Sequence, residues 1–271
     1  MGMLDGKVVL IFGLANKNSI AWGITKKLHA EGATILLSYA GGVLEKRVRP
    51  LAEEIGCTFV EEADVTDDAA LDRVFARVKE EYGRLDTLVH SVAYANREDL
   101  GGRFTNISRD GFKLALDISA FSLIAMAKRA EPLMTEGGSI MSLTYYASEK
   151  VMPKYHVMAV AKSALETITR YLAADMGPKG IRVNSISAGP IKTLAAAGVP
   201  GIRMMLKYSE EASPLRTLVS QEDVGDLAFF LASDLSRKIT GEIIHIDAGF
   251  NILGMTMSKE DLALLNGSDE A

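Results

Sequence analysis

Short apolar runs alternate along the chain with longer stretches in which apolar residues recur at helical spacing. Lys7–Phe12 is continuously apolar after its first residue, as expected of a strand covered on both faces. Ser19–Gly32 then predicts a helix, with Ile20, Ile24 and Leu28 at i, i+4 and i+8 and Gly32 as a stop. In the same way the pattern predicts strands at Thr34–Tyr39, Thr58–Ala63, Asp86–Ser91, Gly138–Leu143, Arg182–Ile186 and Glu242–Ile246. Between them it predicts helices at Glu45–Ile55, Asp67–Tyr82, Ser108–Met134, Tyr155–Met176 and Gln221–Ser233. Leu71, Val74, Phe75, Val78 and Tyr82 form one apolar stripe. Strands separated by helices of this length imply right-handed crossovers and an α/β fold. The expectation is a Rossmann fold: a seven-stranded, doubly wound parallel sheet with helices on both faces, in one domain over residues 1–271.

Two longer irregular stretches follow the fourth and sixth strands, Ala93–Arg103 and Ala188–Lys207. In an open parallel sheet, ligands bind beyond the carboxyl ends of the strands, so both belong to the expected site.

Composition narrows the picture. The 271 residues include 30 basic and 35 acidic side chains, a net charge of −5, which gives no basic excess for nucleic acid. The lone Cys57 cannot close an intrachain bridge and points to a reducing compartment. No apolar stretch approaches the ~20 residues of a membrane span, and Met1–Lys7 lacks the pattern of a secretion signal. The expectation is a soluble, cytoplasmic protein with no nucleic-acid or membrane partner. The four histidines fall in no metal-ligand pattern, so no metal is expected.

The first strand runs through Gly13 into a loop closed by Ser19-Ile20 and then a helix. Gly13 permits a tight turn, the helix N-terminus offers free N–H groups to a pyrophosphate, and Ser19 stands where it can cap the helix or donate to a phosphate. Gly23 is expected to let the helix pack closely on the sheet. A plain strand-to-helix turn with a serine cap would read the same. After the second strand, Ser38, Tyr39, Ala40, Gly41 and Gly42 offer neither an acid for a ribose nor a cation for a 2′-phosphate, and the absence of the cation favours NADH over NADPH.

Tyr155 and Lys162 are seven residues apart in a helical segment, so at ~100° per residue they return to within ~20° of one another on one face. A lysine beside a tyrosine is expected to lower its pKa. A half-buried tyrosine and a surface lysine would also align this way by chance.

Taken together, these features resemble the short-chain dehydrogenase/reductase superfamily over almost the whole chain. The resemblance rests on Gly13, on Asp64-Val65, on His90-Ser91-Val92-Ala93, on the Tyr/Lys helix and on Ala188-Gly189-Pro190-Ile191. It also rests on the Ile239–Asp247 segment. Most members place the tyrosine four residues before the lysine, where this chain has Met158. The seven-residue spacing, Tyr145 ten residues upstream, the Gly13…Ser19-Ile20 loop and the Pro190–Ala195 segment are instead similar to bacterial enoyl-acyl carrier protein reductases.

The displacement has a physical reason, because moving the hydroxyl one turn shifts it by roughly 4.5–5 Å, from the hydride-accepting carbon towards a thioester oxygen. The resemblance implies Tyr155 over that oxygen, Lys162 on the nicotinamide ribose, and Tyr145 and Ala95 lining the acyl pocket. It implies cofactor contacts from Gly13, Ser19, Ile20, Ala40, Ser91, Val92 and Ile191, Lys192, Thr193, Leu194 and Ala195, with Asp64 and Val65 near adenine. Of the superfamily's helix asparagine only Ser119 is left.

The apolar Leu194–Val199 run and Met204-Met205 are expected to form a lid, within residues 191–207, over an acyl chain. Lys192, Arg203 and Lys207, with no acid between Ile191 and Ser209, are expected to meet acyl carrier protein bearing an enoyl thioester. The resemblance also implies a homotetramer, with the tail from Met257 frayed or packed between subunits. A carbonyl-reducing relative and a non-catalytic nucleotide-sensing module are the competing readings.

Overall fold

The computed structural model describes residues 2–193, 196 and 201–255. Leu194, Ala195, most of the apolar lid run and the tail from Met257 lie outside the described residues. Seven strands form one parallel sheet: β1 Val8–Phe12, β2 Thr34–Tyr39, β3 Val60–Glu62, β4 Thr87–His90, β5 Gly138–Thr144, β6 Ile181–Ala188 and β7 Ile243–Ile246. Their order is β3-β2-β1-β4-β5-β6-β7, with the direction of winding reversing between β1 and β4. All five residues of β1 are buried, because helices cover both of its faces.

One core layer joins Leu10, Phe12 and Leu88 to helix α3, Asp68–Tyr82, and to the helices that follow β4 and β5. The other joins Val9, Ile11 and Val89 to α1, Ile20–Ala30, α2, Glu45–Glu54, and a later helix. The expected stripe on α3 faces the first layer, and the Asp67 carboxylate caps that helix by accepting from Ala69 N at 2.9 Å.

The helix expected over Ser108–Met134 is interrupted. After a short α4, Arg97–Leu100, come α5, Arg109–Leu116, a π turn at Asp117–Phe121, and α6, Ser122–Ala130. Apolar periodicity runs through a π turn almost unbroken, and such turns concentrate at functional sites.

Helix α7, His156–Met176, packs between β5–β6 and α5–α6. The stretch read as irregular to Lys207 instead becomes α8, Ile202–Ala212. Helix α9, Gln221–Ala232, opens with a capping box between Ser220 and Asp223.

Gly23 does not serve the sheet as expected. A Cβ there would lie 2.2 Å from Gln221 O, so the glycine sets the crossing of α1 with α9, where Gly225 faces it. Among the described residues, no helix is long and apolar enough to cross a membrane.

Candidate active site

The strand order reverses where β1 and β4 end, and the two chain segments there nearly touch. Gly13 has φ +94°, and a Cβ would sit 2.0 Å from Ser91 O. Only glycine leaves the backbone free at this point, the carboxyl edge where an α/β sheet takes its ligand. Ser91 N donates to Phe12 O at 3.1 Å, so Ser91 and Val92 follow the turn closely.

Ser19 stands at the N-cap of α1 but does not cap it. Its Oγ accepts from Ala15 N at 3.2 Å and Asn16 N at 3.0 Å, folding the loop back on itself. The first turn of α1, from Ile20, thus has no side-chain cap and presents its N–H groups to the loop.

At the end of β2, Ser38 is fully buried and its Oγ has no partner among the described residues. Ala40 is exposed beside it, and the Asp64 carboxylate accepts from the Thr66 N–H and hydroxyl while Val65 packs into the core. Ile191 and Lys192 line a cavity of about 300 Å³ with Asn18, Leu206 and Gln221, and Thr193 follows them. A dinucleotide fits these residues: a glycine cradle, an uncapped helix start and an unpartnered buried hydroxyl lie along one edge of the sheet.

The opposite wall belongs to α7. Tyr155 is its N-cap rather than part of its first turn, and His156 follows at φ +31°. The Tyr145 and Tyr155 rings meet edge to face, 5.0 Å between centroids. Tyr155 packs on a small apolar cluster of Leu100, Ala115, Val157 and Met158, which Ala95 and Ile107 also join. Burial pushes the Tyr155 hydroxyl well above the usual phenol range, with Tyr145 adding to the effect. Tyr145 itself is pushed up to about 12, by burial first and Asp247 second.

These directions overturn the expectation that Lys162 lowers the tyrosine. Burial and the neighbouring Tyr145 set the direction, and Tyr155 remains a protonated donor. Lys162 is buried and donates to Leu143 O at 2.7 Å, which is its one hydrogen bond among the described residues. Burial lowers its pKa to about 8, opposed by Glu166.

Three further residues complete the wall; His90 and Ser119 were noticed in the sequence only as parts of a motif, and Glu166 escaped it. His90 is fully buried and pushed down to about 3, first by burial and then by Lys162. Its Nε2 lies 2.7 Å from Ser122 Oγ, which donates to Ile118 O, and its Nδ1 has no partner among the described residues. Ser119, within the π turn, accepts from Tyr94 N at 3.0 Å and donates to Tyr94 O at 3.1 Å, pinning the loop that carries Ala95. Glu166 is a buried acid four residues after Lys162, and that helical spacing was its one signal in the sequence. Of the cations expected to meet a carrier, Lys192 is exposed in its loop, and Lys207 pairs with Glu211 at 3.8 Å on α8.

The strand order, the glycine turn at its reversal and the Tyr–Lys helix define a dinucleotide-dependent reductase architecture. A family model described as enoyl-(acyl carrier protein) reductase matches residues 13–251. The NADH-type enoyl-acyl carrier protein reductase 1 of Rhizobium meliloti (strain 1021) is 49% identical over 265 residues, covering 97% of each chain. That of Bacillus cereus is 50% identical over 256 residues, 94% of this chain and 100% of its own.

Among solved structures, the Bacillus cereus enzyme with NADP+ and indole naphthyridinone superposes with a TM-score of 0.92 at 50% identity, over 94% of this chain and 100% of that one. The Anaplasma phagocytophilum enzyme with NAD gives 0.91 at 44%, over 94% and 98%. The chain belongs to the enoyl-(acyl carrier protein) reductase family.

Proposed function

We propose that this chain reduces the 2,3 double bond of enoyl thioesters carried on acyl carrier protein, using NADH, as the last reductive step of fatty acid elongation. The observation that carries the reading is the edge-to-face pair of Tyr145 and Tyr155 at the head of the helix that buries Lys162. The groove beside Gly13 would hold NADH, which when bound would supply hydride for C3 of the enoyl group, with water supplying the proton that C2 takes up.

The residues then have distinct tasks. As charge moves onto the thioester oxygen, the protonated Tyr155 hydroxyl donates a hydrogen bond to it and stabilises the enolate. Its raised pKa suits a donor that keeps its proton through that step. Lys162 has donors left over from its bond to Leu143 O and holds the nicotinamide ribose. Tyr145 and Ala95 border the acyl chain. Gly13, Ser19, Ile20, Ala40, Asp64, Val65, Ser91, Val92 and Ile191, Lys192 and Thr193 follow the cofactor.

A carbonyl reductase needs a tyrosine where this chain buries Met158 against Tyr155, which disfavours that alternative. A non-catalytic nucleotide sensor has no need of a buried lysine beside paired tyrosines. We read the chain as one cytoplasmic domain, with residues 191–207 as its lid, that works as a homotetramer. The half-buried isoleucines of the edge strand β7 suit a covering subunit.

One assay tests the reading: crotonyl thioester should drive NADH oxidation, and acetoacetyl thioester or substitution of NADPH should do so poorly. Tyr155→Phe should lower kcat about 10²–10³-fold with NADH affinity near normal. An unchanged kcat removes Tyr155 from the chemistry.

A further inference from the structure

Glu166 lies one turn beyond Lys162 on α7 and is only 5% exposed. Its Oε1 accepts two hydrogen bonds, from Thr144 Oγ1 at 2.7 Å and from Ser148 Oγ at 2.5 Å. Those two residues bracket the turn that leaves β5, whose first residue is Tyr145. One turn earlier on α7, Ser163 Oγ donates to Ser148 O at 3.0 Å, a second tie between the same two segments. We propose that Glu166 is a positioning residue of the reductase site, its carboxylate fastening the turn that presents Tyr145 onto the helix that presents Tyr155 and Lys162. The proposal rests on the enoyl reductase reading for what the tyrosine pair does.

The physical case begins with cost. A buried carboxylate persists only where hydrogen bonds and opposite charge offset its desolvation. Here two hydroxyls supply the bonds, and the charge is the Lys162 ammonium on the preceding turn. The two charged groups do not touch, because Lys162 Nζ is directed to Leu143 O. They act through the low-dielectric interior, where Glu166 opposes the effect of burial on the lysine.

The titratable groups coupled to Lys162 are Glu166 on its own helix and His90 on β4, while β5 contributes the Leu143 carbonyl. His90 is held neutral, so among the described residues Glu166 is the acid that keeps Lys162 charged. One carboxylate therefore sets the distance between the tyrosines and the charge of the lysine.

The test separates these two effects in the full-length protein. Glu166→Gln keeps a carbonyl acceptor for the Tyr145 turn but removes the charge. Its KM for crotonyl thioester should stay near that of the parent. The alkaline limb of NADH binding, read by fluorescence titration without substrate, should move down by about one pH unit. Glu166→Ala loses both functions, and should add a KM about tenfold higher to the shifted limb.

An unshifted limb in Glu166→Gln overturns the charge role. A lowered Tm with unchanged KM in Glu166→Ala shows a merely structural residue and overturns the positioning role. Should Glu166→Ala fail to fold, Ser148→Ala removes one donor and leaves the acid in place. A raised KM with an unshifted limb supports the proposal there, and an unchanged KM overturns it. If the parent protein reduces no enoyl thioester, the functional reading fails separately, and the binding limb still reports on Glu166 and Lys162.

Discussion

At the scale of single residues, the site is governed by burial working against charge. Lys162 holds its proton less tightly than a surface lysine because desolvation outweighs the nearby acid. Its ordinary value is 10.5 and its value in the fold is about 8, so the ammonium form predominates below that pH, is half lost at it and disappears as pH rises beyond it. If that ammonium holds the ribose, NADH affinity should be flat below about pH 7 and fall as pH rises through about 8, while Lys162→Ala should bind weakly throughout. A dissociation constant independent of pH up to 10 would show that the lysine does not hold the cofactor. Tyr145, Tyr155 and Lys162 were legible in the sequence because spacing along one segment relates them. Glu166 was not, and Ser38 and His90 were noticed without their buried roles, since each is a polar residue inside an apolar element and its meaning lies in what stands opposite. The sign of the tyrosine shift was misjudged for a related reason: proximity of charge can be read from spacing, but desolvation cannot.

Among the elements, the contact between α1 and α9 is set by two small residues rather than by side-chain interdigitation. A Cβ at Gly23 would meet the Gln221 carbonyl carbon at 2.6 Å as well as its oxygen, and backbone cannot swing aside as a side chain can. Gly23→Ala should therefore cost about 1–3 kcal/mol, and Tm should fall by several degrees. Gly177→Ala makes a good control, because nothing lies within 4 Å of its Cβ position and its φ of −54° suits any residue. An equal loss of Tm in both variants would rule out close approach as the cause. The sequence pattern located every strand, and helices α1, α2, α3, α7 and α9, to within two or three residues, because buried strands are apolar throughout and helices striped. It did not reveal the π turn, whose extra residue leaves the stripe nearly intact, or the start of α8, whose apolar and basic residues read as loop. Gly23 itself was noticed and assigned to the wrong neighbour, because its partner lies about 200 positions away in the chain.

For the whole molecule the open question is how a net charge of −5 admits an acidic carrier. Like charges repel at long range, so docking needs a local patch of the opposite sign beside the pocket. Helix α8 borders the cavity through Leu206 and carries Arg203 and Lys207, with Lys192 in the loop lining the same cavity. The patch is weaker than a count of cations suggests. Lys207 pairs with Glu211 one turn on, and Glu210 adjoins it, although Lys207 remains largely exposed. An exposed pair of this kind contributes little, so the Lys207 ammonium stays available to a partner. Replacing Arg203 and Lys207 together by glutamate should raise KM for a carrier-bound enoyl thioester about tenfold at low salt. It should also flatten the salt dependence of kcat/KM, because fewer opposite charges remain to be screened. A small coenzyme A thioester tests the alternative directly, since it reaches the same pocket without the carrier's surface. If the carrier substrate alone suffers, α8 is the docking face. If both substrates suffer equally, Arg203 and Lys207 shape the pocket wall instead, and the carrier docks elsewhere on the molecule.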